Sequence, residues 1–385
     1  MSMNVVCLDE GASSSRYAVN SGAVKVYPNN ARLIEEDTVV SLVPNSDDVL
    51  DNLDITITKT SGESRYFPQR VLLGSLAERF SRSNTRPSMN ANKCKQKLTY
   101  ITILLGTALG CLDAGIGGEE VSIIMNLPPV ELTDDNVNYV KSELLGAFSV
   151  KFHKLEKDIS FTVTDVVVKP EGVSASVAFF YNKDASPRVT MADYSTGYVL
   201  VVDIGASTSD LALLKDKKFI ERTGQTYKLG GNTLRDKVRS KIKEVSGLEV
   251  TDEAVETLLS EGRLPYGNSY RDMSKELVAA KREFADELYD SIDSYFTTVG
   301  VGISSIKAVF VCGGGSMESS YFDEKENKEV KTSEPVSKYL LERLQEVCDS
   351  VDVVSYPDGN PRMANIIGTI LIGNAYRAKK AQKKA

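Results

Sequence analysis

The sequence predicts an α/β protein made of two related domains, and three observations support this fold class. The chain has 385 residues, which at ~150 residues per domain is enough for two domains. Short apolar strand patterns alternate with longer helical patterns along its length. A buried strand that ends in aspartate and runs into a turn of glycine, alanine and hydroxyl residues occurs at Asp9 and again at Asp203. A repeat of about half the chain predicts two similar domains that face each other across a cleft.

In the first half, residues 4–8 and 16–19 are predicted strands on either side of the first turn. Residues 26–92 are polar, with weak strands at 39–43 and 55–58 and a serine- and arginine-rich stretch at 81–88, so we expect a surface subdomain there. The next predicted elements are a helix at 93–111, a strand at 121–127, a helix at 134–145, and strands at 161–169 and 174–181 joined by Pro170, Glu171 and Gly172.

In the second half, strands at 199–203 and 210–214 flank the second turn. The elements predicted after them are helices at 232–245, 251–260 and 273–299, a loop at 265–268, a strand at 308–312, and helices at 336–347 and 364–379. We expect a first domain over 1–198, with a variable subdomain at about 26–92 and a closing helix at about 364–385. The second domain is expected over 199–363, with a helical subdomain at about 232–272.

Composition and charge argue against several classes of protein. The chain has 46 Lys and Arg against 53 Asp and Glu, which gives a net charge of −7. A protein that binds DNA directly usually carries an excess of positive charge, so direct DNA binding is not expected. Its five cysteines are scattered and form no C-x-x-C pair, which argues against a zinc or redox site and favours a reduced cytoplasm. The single histidine, His153, lies near no signature of a Ser-His or Cys-His catalyst.

No membrane association is expected from the sequence. Its longest apolar run, residues 101–112, is shorter than the ~18–20 residues that a membrane span needs. The first residues also lack the charged start and apolar core of a secretion signal. A buried helix is therefore the interpretation of residues 101–112.

The paired turns predict a phosphate site. A glycine followed by hydroxyl side chains lets backbone N–H and OH groups converge on a phosphate, and two such turns can hold one nucleotide from both sides. Asp9 and Asp203, at the preceding strand ends, are the expected Mg²⁺ ligands, because carboxylates beside a polyphosphate commonly hold the hydrated ion. Arg16, on the strand that leaves the first turn, could reach the β-phosphate. One such turn is ordinary hairpin chemistry, and the duplication is what indicates function.

Three further segments could surround the nucleoside. The glycine turn at 313–315 lets the backbone approach a flat ligand closely, because it presents no side chain. Residues 230–232 precede a predicted helix and could form a second wall. Lys281 and Arg282 on the long helix could form a third, with Arg282 able to stack on a base.

The order of these motifs resembles the actin, Hsp70 and sugar-kinase ATPase superfamily over nearly the whole chain. Within it, the chain length, the sequence Met-Asn-Leu-Pro at 125–128, the Pro-Glu-Gly turn at 170–172 and the Pro-Asp-Gly at 357–359 before Asn365 are similar to the ParM-like bacterial actins. The resemblance implies an actin-like ATPase fold, with two related RNase H-like domains around a nucleotide cleft and an inserted subdomain in each. It also implies that the chain binds ATP (or GTP) and Mg²⁺.

The resemblance implies a role for each candidate residue. Asp9 and Asp203 would hold the metal, and Glu171 would position the attacking water, a role that suits a carboxylate at a turn over the γ-phosphate. The first phosphate loop would comprise Gly11, Ser13, Ser14 and Arg16, the second Gly205, Ser207 and Thr208, and the nucleoside site Gly231, Asn232, Lys281, Arg282, Gly314, Gly315, Ser316 and Met317. The second loop departs from the family pattern, with Ala206 and Ser207 where glycine and threonine are frequent.

The resemblance leaves three functions open, because this superfamily includes filaments, chaperones and kinases. An Hsp70-type chaperone needs a β-rich peptide domain after the ATPase, where only residues 364–385 remain. A sugar or acid kinase stays the alternative, with Glu171 as its base and 26–92 as its acceptor pocket, although the stretch at 81–88 is more typical of an exposed contact loop. We expect a polymerising ATPase that assembles head to tail. The resemblance alone implies plasmid segregation, through a DNA-binding adaptor and a centromere-like site and without direct DNA binding.

Overall fold

The computed structural model describes residues 3–11, 14–41, 46, 48–80, 92–324 and 326–384. The chain divides into two compact units, Met1–Ala178 with Asn365–Ala385, and Phe179–Ala364. The division falls at residue 178, where a boundary at 198 was expected. Phe179 accounts for the difference, because its ring stacks on that of Phe310 in the second unit, with centroids 4.5 Å apart.

In the part of the first unit that the structure describes, nine strands form one mixed sheet. They are β1 (Asn4–Glu10), β2 (Ser15–Val19), β3 (Lys25–Tyr27), β4 (Ala31–Ile34), β5 (Leu53–Lys59), β6 (Gln69–Leu73), β7 (Glu120–Leu127), β8 (Gly146–Phe152) and β9 (Lys157–Pro170). Their order in the sheet is β3-β2-β1-β7-β9-β8-β5-β6-β4. β1 and β2 are an antiparallel hairpin around the first turn, and β7 pairs in parallel with both β1 and β9. The carboxyl ends of β1, β7 and β9 therefore lie at one edge of the sheet.

The second unit repeats the centre of this topology. Its strands are β10 (Tyr198–Ile204), β11 (Ser209–Lys215), β12 (Lys218–Phe219), β13 (Gln225–Tyr227), β14 (Arg263–Tyr266), β15 (Ser269–Asp272), β16 (Ile306–Cys312), β17 (Ser319–Asp323), β18 (Lys328–Ser333) and β19 (Asp352–Ser355). The main sheet has the order β12-β11-β10-β16-β19, with β13 on β11, while β14-β15 and β17-β18 are separate hairpins. β10 and β11 form a hairpin around the second turn, and β16 joins β10 in parallel, as β7 joins β1. The predicted duplication is present in the topology.

Helices cover the two sheets. They are α1 (Gly74–Phe80), α2 (Lys97–Asp113), α3 (Asp134–Leu144), α4 (Val173–Phe180), α5 (Gly231–Ser246), α6 (Asp252–Glu261), α7 (Ser274–Val299), α8 (Val336–Gln345) and α9 (Ala364–Lys384). The helix α2 is buried all round from Leu98 to Cys111. A Cβ added at Gly106 would lie 2.8 Å from Leu8, so glycine allows α2 to approach β1 closely. Among the described helices, none has the length and apolarity to cross a membrane.

One predicted strand is a helix. Residues 174–181 were expected to be extended, but α4 occupies 173–180. Periodicity alone cannot distinguish a short, continuous apolar run in a strand from one in a buried helix. Gly172 turns the chain with φ of 73° after β9, and α4 then packs so closely on α9 that a Cβ at Gly368 would overlap the carbonyl of Ser174. The prediction of a strand was therefore wrong.

The other differences concern loops and the predicted subdomain at 26–92. Residues 39–41 of the expected strand 39–43 are not a strand, and 42–43 lie outside the described residues, as does the stretch 81–88. The expected loop at 265–268 is the tip of the β14-β15 hairpin. Strands β3 to β6 of the predicted surface subdomain continue the nine-stranded sheet, because β5 pairs with β8.

Candidate functional site

The first turn carries a buried ion pair. Asp9 lies at the carboxyl end of β1, directly opposite Arg16 of β2 in the antiparallel ladder. Arg16 NH1 lies 3.2 Å from Asp9 Oδ2, and the two side chains are 12% and 8% exposed. The expected metal ligand of this unit therefore contacts the expected phosphate-binding arginine. Of the predicted turn hydroxyls, Ser14 is half-buried, and Ser13 lies outside the described residues.

Close backbone contacts hold the described part of this turn. The carbonyl of Gly11 accepts a hydrogen bond from the side-chain amide of Asn29, a residue that is fully buried. A Cβ at Gly11 would lie 2.6 Å from the carbonyl oxygen of Ser14, so the turn is tight enough to require glycine. The placement of Gly11 agrees with its predicted position in a phosphate loop.

Next to the turn lies a buried carboxylate, Glu10, which no sequence pattern singled out. The side chain of Glu10 accepts hydrogen bonds from Ser15 Oγ, at 2.9 Å, and from the hydroxyl of Tyr27. Burial raises the pKa of Glu10 above its ordinary value, and the charge of Lys93 acts in the opposite direction. Glu10 thus fixes the end of β1 from inside the core.

Glu171 lies at the same sheet edge as Asp9. It follows β9, its amide donates to the carbonyl of Leu127 at the end of β7 at 2.7 Å, and the amide of Gly172 donates to Asn365 Oδ1 at 3.1 Å. The topology of β1, β7 and β9 explains why residues so distant in sequence reach this edge. The side chain of Glu171 is only 12% exposed.

Glu171 is paired with a lysine that the sequence did not single out. Lys93 Nζ donates to Glu171 Oε1 at 2.9 Å and also to the backbone carbonyl of Glu10. Burial raises the pKa of Glu171, and the nearby ammonium of Lys93 acts against that shift. Burial also acts to lower the pKa of Lys93, but the charge and hydrogen bond of Glu171 outweigh it and raise that pKa above its usual value.

No local signal in the sequence distinguishes Lys93 from Lys95 and Lys97, which alternate with polar or small residues before the apolar helix. Lys93 is buried, whereas Lys95, in the same short turn, is exposed. The difference arises from the tertiary partner, Glu171, which lies 78 residues further along the chain.

The second turn is built into the start of α5. The amide of Gly205 donates to the carbonyl of Thr208 at 2.8 Å and closes the turn. The amides of Gly231 and Asn232 donate to the carbonyls of Gly205 and Ala206 at 2.8 and 2.7 Å. The side-chain amide of Asn232 also donates to Ser207 Oγ at 3.2 Å. The N-terminus of a 16-residue helix, which favours anions, therefore lies at the predicted phosphate turn.

The third glycine motif touches the second turn. Gly313 follows β16, which pairs with β10 so that Cys312 lies opposite Asp203. The φ of Gly313 is 87°, and a Cβ there would overlap Asp203 Oδ1 and the carbonyl of Ile204. Only glycine satisfies both constraints, so the motif lies directly beside the buried Asp203.

A cavity of 260 Å³ opens beside these motifs within the second unit, close to the lower end of the ~300–1,000 Å³ typical of ligand pockets. Its lining comprises Gly231, Leu234, Arg235, Glu256, Thr257, Leu259, Ser260, Lys281, Gly314, Gly315, Met317 and Arg362. Five predicted nucleoside residues are among them: Gly231, Lys281, Gly314, Gly315 and Met317. Asn232 and Ser316 are not, and Ser316 Oγ donates instead to the carbonyl of Gly313 at 2.8 Å. Arg235 and Glu256, an ion pair on α5 and α6, were missed.

Lys281 and Arg282 point in different directions. Lys281 is 1% exposed, and its ammonium lies within hydrogen-bond distance of four oxygens, including Ser333 Oγ at 2.7 Å and the carbonyl of Met317 at 3.1 Å. Burial lowers its pKa to about 7. Arg282 lies outside the cavity lining. It is exposed, pairs with Glu342 at 3.0 Å and lies over the ring of Tyr339.

The described residues contain no group of three or more His, Cys, Asp or Glu side chains placed to hold a metal ion. Mg²⁺ typically uses one or two carboxylates and completes its shell with phosphate oxygens and water, so a cage of protein ligands is not required. Asp9 and Asp203, each at a strand end beside a turn, fit that ligand pattern as single carboxylates.

Two sequence-family models match the chain. The family described as actin-like proteins, N-terminal domain, matches residues 8–173, and the family described as archaeal actin homologue MreB-like, C-terminal, matches residues 201–320. No curated protein matches the chain. The two family matches coincide with the two halves that carry the duplicated turn.

Solved structures with this fold cover almost the whole chain. The actin-like protein Alp7A has a TM-score of 0.71 and 19% identity, covering 99% of this chain and 98% of its own. Bacillus thuringiensis ParM with AMPPNP has a TM-score of 0.66 and 16% identity, covering 98% and 100%. A 15-stranded ParM filament from Clostridium botulinum has a TM-score of 0.60 and 18% identity, covering 97% and 100%. The predicted actin-like fold is confirmed, and each half of the chain matches a sequence family of actin-like proteins.

Proposed function

We propose that this chain is a nucleotide-dependent, polymerising ATPase that forms dynamic filaments. The observation that carries the proposal is that Gly231, which lines the cavity of the second unit, also donates its amide to the carbonyl of Gly205 in the second turn. A nucleoside in the cavity would have its phosphates near the N-terminus of α5 and the amides of that turn. The ParM from Bacillus thuringiensis that shares this fold was solved with AMPPNP, which supports the assignment of a nucleotide.

We assign the chemistry to three acidic residues. Bound Mg²⁺ would supply charge stabilisation to the transferred phosphoryl group, and Asp9 and Asp203 would hold it as ligands or through its waters. Glu171 would orient the attacking water, since it is a buried carboxylate at the sheet edge that also holds Asp9. Gly11, Ser14 and Arg16 in the first turn, and Gly205, Ser207 and Thr208 in the second, would bind phosphates. Ser13 stays a prediction, because it lies outside the described residues.

Filament formation is proposed through head-to-tail contact, which generates an open assembly because it need not close on itself. The ParM filament from Clostridium botulinum supports this proposal through its shared fold. ATP would favour the assembling state, and hydrolysis would release it, provided that the two nucleotide states differ in subunit affinity.

We further propose that the filament moves plasmid DNA through a DNA-binding adaptor. The net charge of −7 argues against direct DNA binding, because a protein that neutralises many phosphates carries excess lysine and arginine. A centromere-like site would then be bound by the adaptor, and the filament would bind the adaptor. This part of the proposal rests on the similarity to ParM-like proteins.

Light scattering and phosphate release across a protein concentration series test the proposed function. The series is run with Mg-ATP, with Mg-ADP and without nucleotide. Scattering and ATPase activity per molecule that rise together above a threshold concentration, with ATP only, are expected. Turnover per molecule that stays constant, with phosphate transferred only when a small acceptor is added, would replace this proposal with a kinase.

A further inference from the structure

The ammonium group of Lys93 connects two parts of the first unit that the proposed reaction uses. It donates to Glu171 Oε1 at 2.9 Å and to the carbonyl of Glu10, the residue directly before Gly11. Lys93 and Glu171 are 5% and 9% exposed, so neither contact is a fluctuating surface pair. The contact with Lys93 uses one oxygen of the Glu171 carboxylate, Oε1, and leaves Oε2 as the second acceptor of that group.

The backbone of Lys93 is held as firmly as its side chain. The carboxylate of Glu131 accepts hydrogen bonds from the backbone amides of Lys93 and Cys94, at 2.8 and 3.1 Å. The hydroxyl of Thr99 donates to the carbonyl of Lys93 at 2.8 Å. A lysine with both backbone groups fixed can hold its ammonium at one place, which is the condition for orienting another side chain.

We propose that Lys93 is a positioning residue for ATP hydrolysis. Its ammonium fixes Glu171 through Oε1 and, through the carbonyl of Glu10, connects Glu171 to the first phosphate turn. This inference rests on the proposed function, because it assigns Lys93 to the same reaction. Oε2 of Glu171 is then directed at the water, while Oε1 stays bound. Lys93 itself touches neither nucleotide nor water in this role, so its loss acts on the rate through Glu171.

The test compares Lys93→Met, Lys93→Arg and Lys95→Met by steady-state ATPase kinetics and by equilibrium binding of AMPPNP. Lys93→Met is expected to lower kcat by about 10- to 100-fold, with KM and AMPPNP affinity changed by less than about 3-fold. Lys93→Arg retains the charge and is expected to recover part of kcat. Lys95→Met removes an exposed lysine of the same turn and is expected to behave as the unchanged protein.

A double-mutant cycle shows whether Lys93 acts through Glu171. If it does, Lys93→Met lowers kcat in the unchanged protein but has almost no further effect in Glu171→Gln, because the group it positions has gone. The double variant removes both charges of the Lys93–Glu171 pair, so it provides the reference if Lys93→Met alone unfolds.

Two results would overturn the inference, and they are distinguishable. If Glu171→Gln abolishes turnover while Lys93→Met keeps kcat, the proposed function stands and the role of Lys93 falls. If the losses in kcat from Lys93→Met and Glu171→Gln add up in the double variant, the role of Lys93 falls in the same way, because the two residues then act independently. If Glu171→Gln leaves turnover unchanged, the assignment of the water-positioning residue fails, and the role of Lys93 falls with it.

Discussion

Lys93 Nζ and Glu171 Oε1 lie 2.9 Å apart in a part of the first unit where the two side chains are only 7% and 12% exposed. Their mutual attraction and the hydrogen bond that joins them offset the cost of removing both charges from water. The pair therefore affects the stability of the fold as well as the chemistry proposed for Glu171.

Removing one partner of this pair is expected to cost more than removing both. Lys93→Met should lower the free energy of unfolding by about 3 kcal/mol or more, because a buried carboxylate loses its partner. The double variant Lys93→Met/Glu171→Gln should lose less than the sum of the two single losses. Urea denaturation of the four proteins measures this, and strictly additive losses would show that the two groups do not interact.

The lowered pKa of Lys281 predicts a pH dependence of stability. The pKa of Lys281 is about 7 in the folded chain, against an ordinary value of 10.5. Below pH 7 the lysine is protonated in both the folded and the unfolded chain, so the cost of burying its charge is fully present there. Between pH 7 and 10.5 the unfolded chain binds a proton that the folded chain does not. The free energy of unfolding should then rise with pH, by at most about 1.4 kcal/mol per pH unit.

Denaturation at pH 6.5 and at pH 9 tests this by comparison with Lys281→Met. The unchanged protein should gain stability relative to the variant as the pH rises. The control Lys275→Met removes an exposed lysine near the start of the same helix and is measured at the same two pH values. A difference between Lys281→Met and the unchanged protein that is the same at both pH values would mean that Lys281 keeps its ordinary pKa.

Gly313→Ala should destabilise the second unit far more than Gly300→Ala. Both glycines have positive φ, 87° and 69°, so alanine costs about 1 kcal/mol of backbone strain at either position. A Cβ at Gly313 also overlaps Asp203 and Ile204, whereas nothing lies within 4 Å of a Cβ at Gly300. The overlap should add about 1–3 kcal/mol. Thermal denaturation measures both variants, and similar melting temperatures would contradict the close contact.

Asp203→Asn should weaken nucleotide binding mainly when Mg²⁺ is present. If the carboxylate helps to hold the ion, its loss should raise the Kd for ATP by about ten-fold in Mg²⁺, or about 1.4 kcal/mol, and by much less in EDTA. Asp290→Asn, on the exposed face of α7, is the matched control. Calorimetric titration gives both constants, and an equal loss with and without Mg²⁺ would remove Asp203 from the metal site.

The sequence predicted the features that local patterns determine. The two turns, with Asp9 and Asp203 at the strand ends, follow from apolar strands and short glycine motifs, and the repeated topology confirms the predicted fold. The prediction of a strand at 174–181 was wrong because a short apolar run fits a buried helix equally well. The packing of this segment against Gly368 is a long-range contact that local sequence does not indicate.

Side-chain direction was the least predictable property of the candidate site. Lys281 and Arg282 are neighbours, but successive residues point about 100° apart on a helix, so only Lys281 lines the cavity. Lys93 was missed because its environment depends on Glu171 and Glu10, which only the folded sheet brings together. Hydrophobic periodicity predicts which face of a helix or strand is buried, but it does not predict which residue pairs with a buried charge.

Glu171→Gln, followed simultaneously by light scattering and phosphate release in Mg-ATP, tests the proposed coupling of hydrolysis to disassembly most directly. We expect filaments that assemble at a similar threshold but persist, with phosphate release slowed by about 10²- to 10⁴-fold, because the amide oxygen stays bound to Lys93 and the water then meets an NH2 donor in place of a carboxylate oxygen. Assembly, phosphate release and disassembly at the rates of the unchanged protein would contradict the proposed role of Glu171 and the link between hydrolysis and filament turnover.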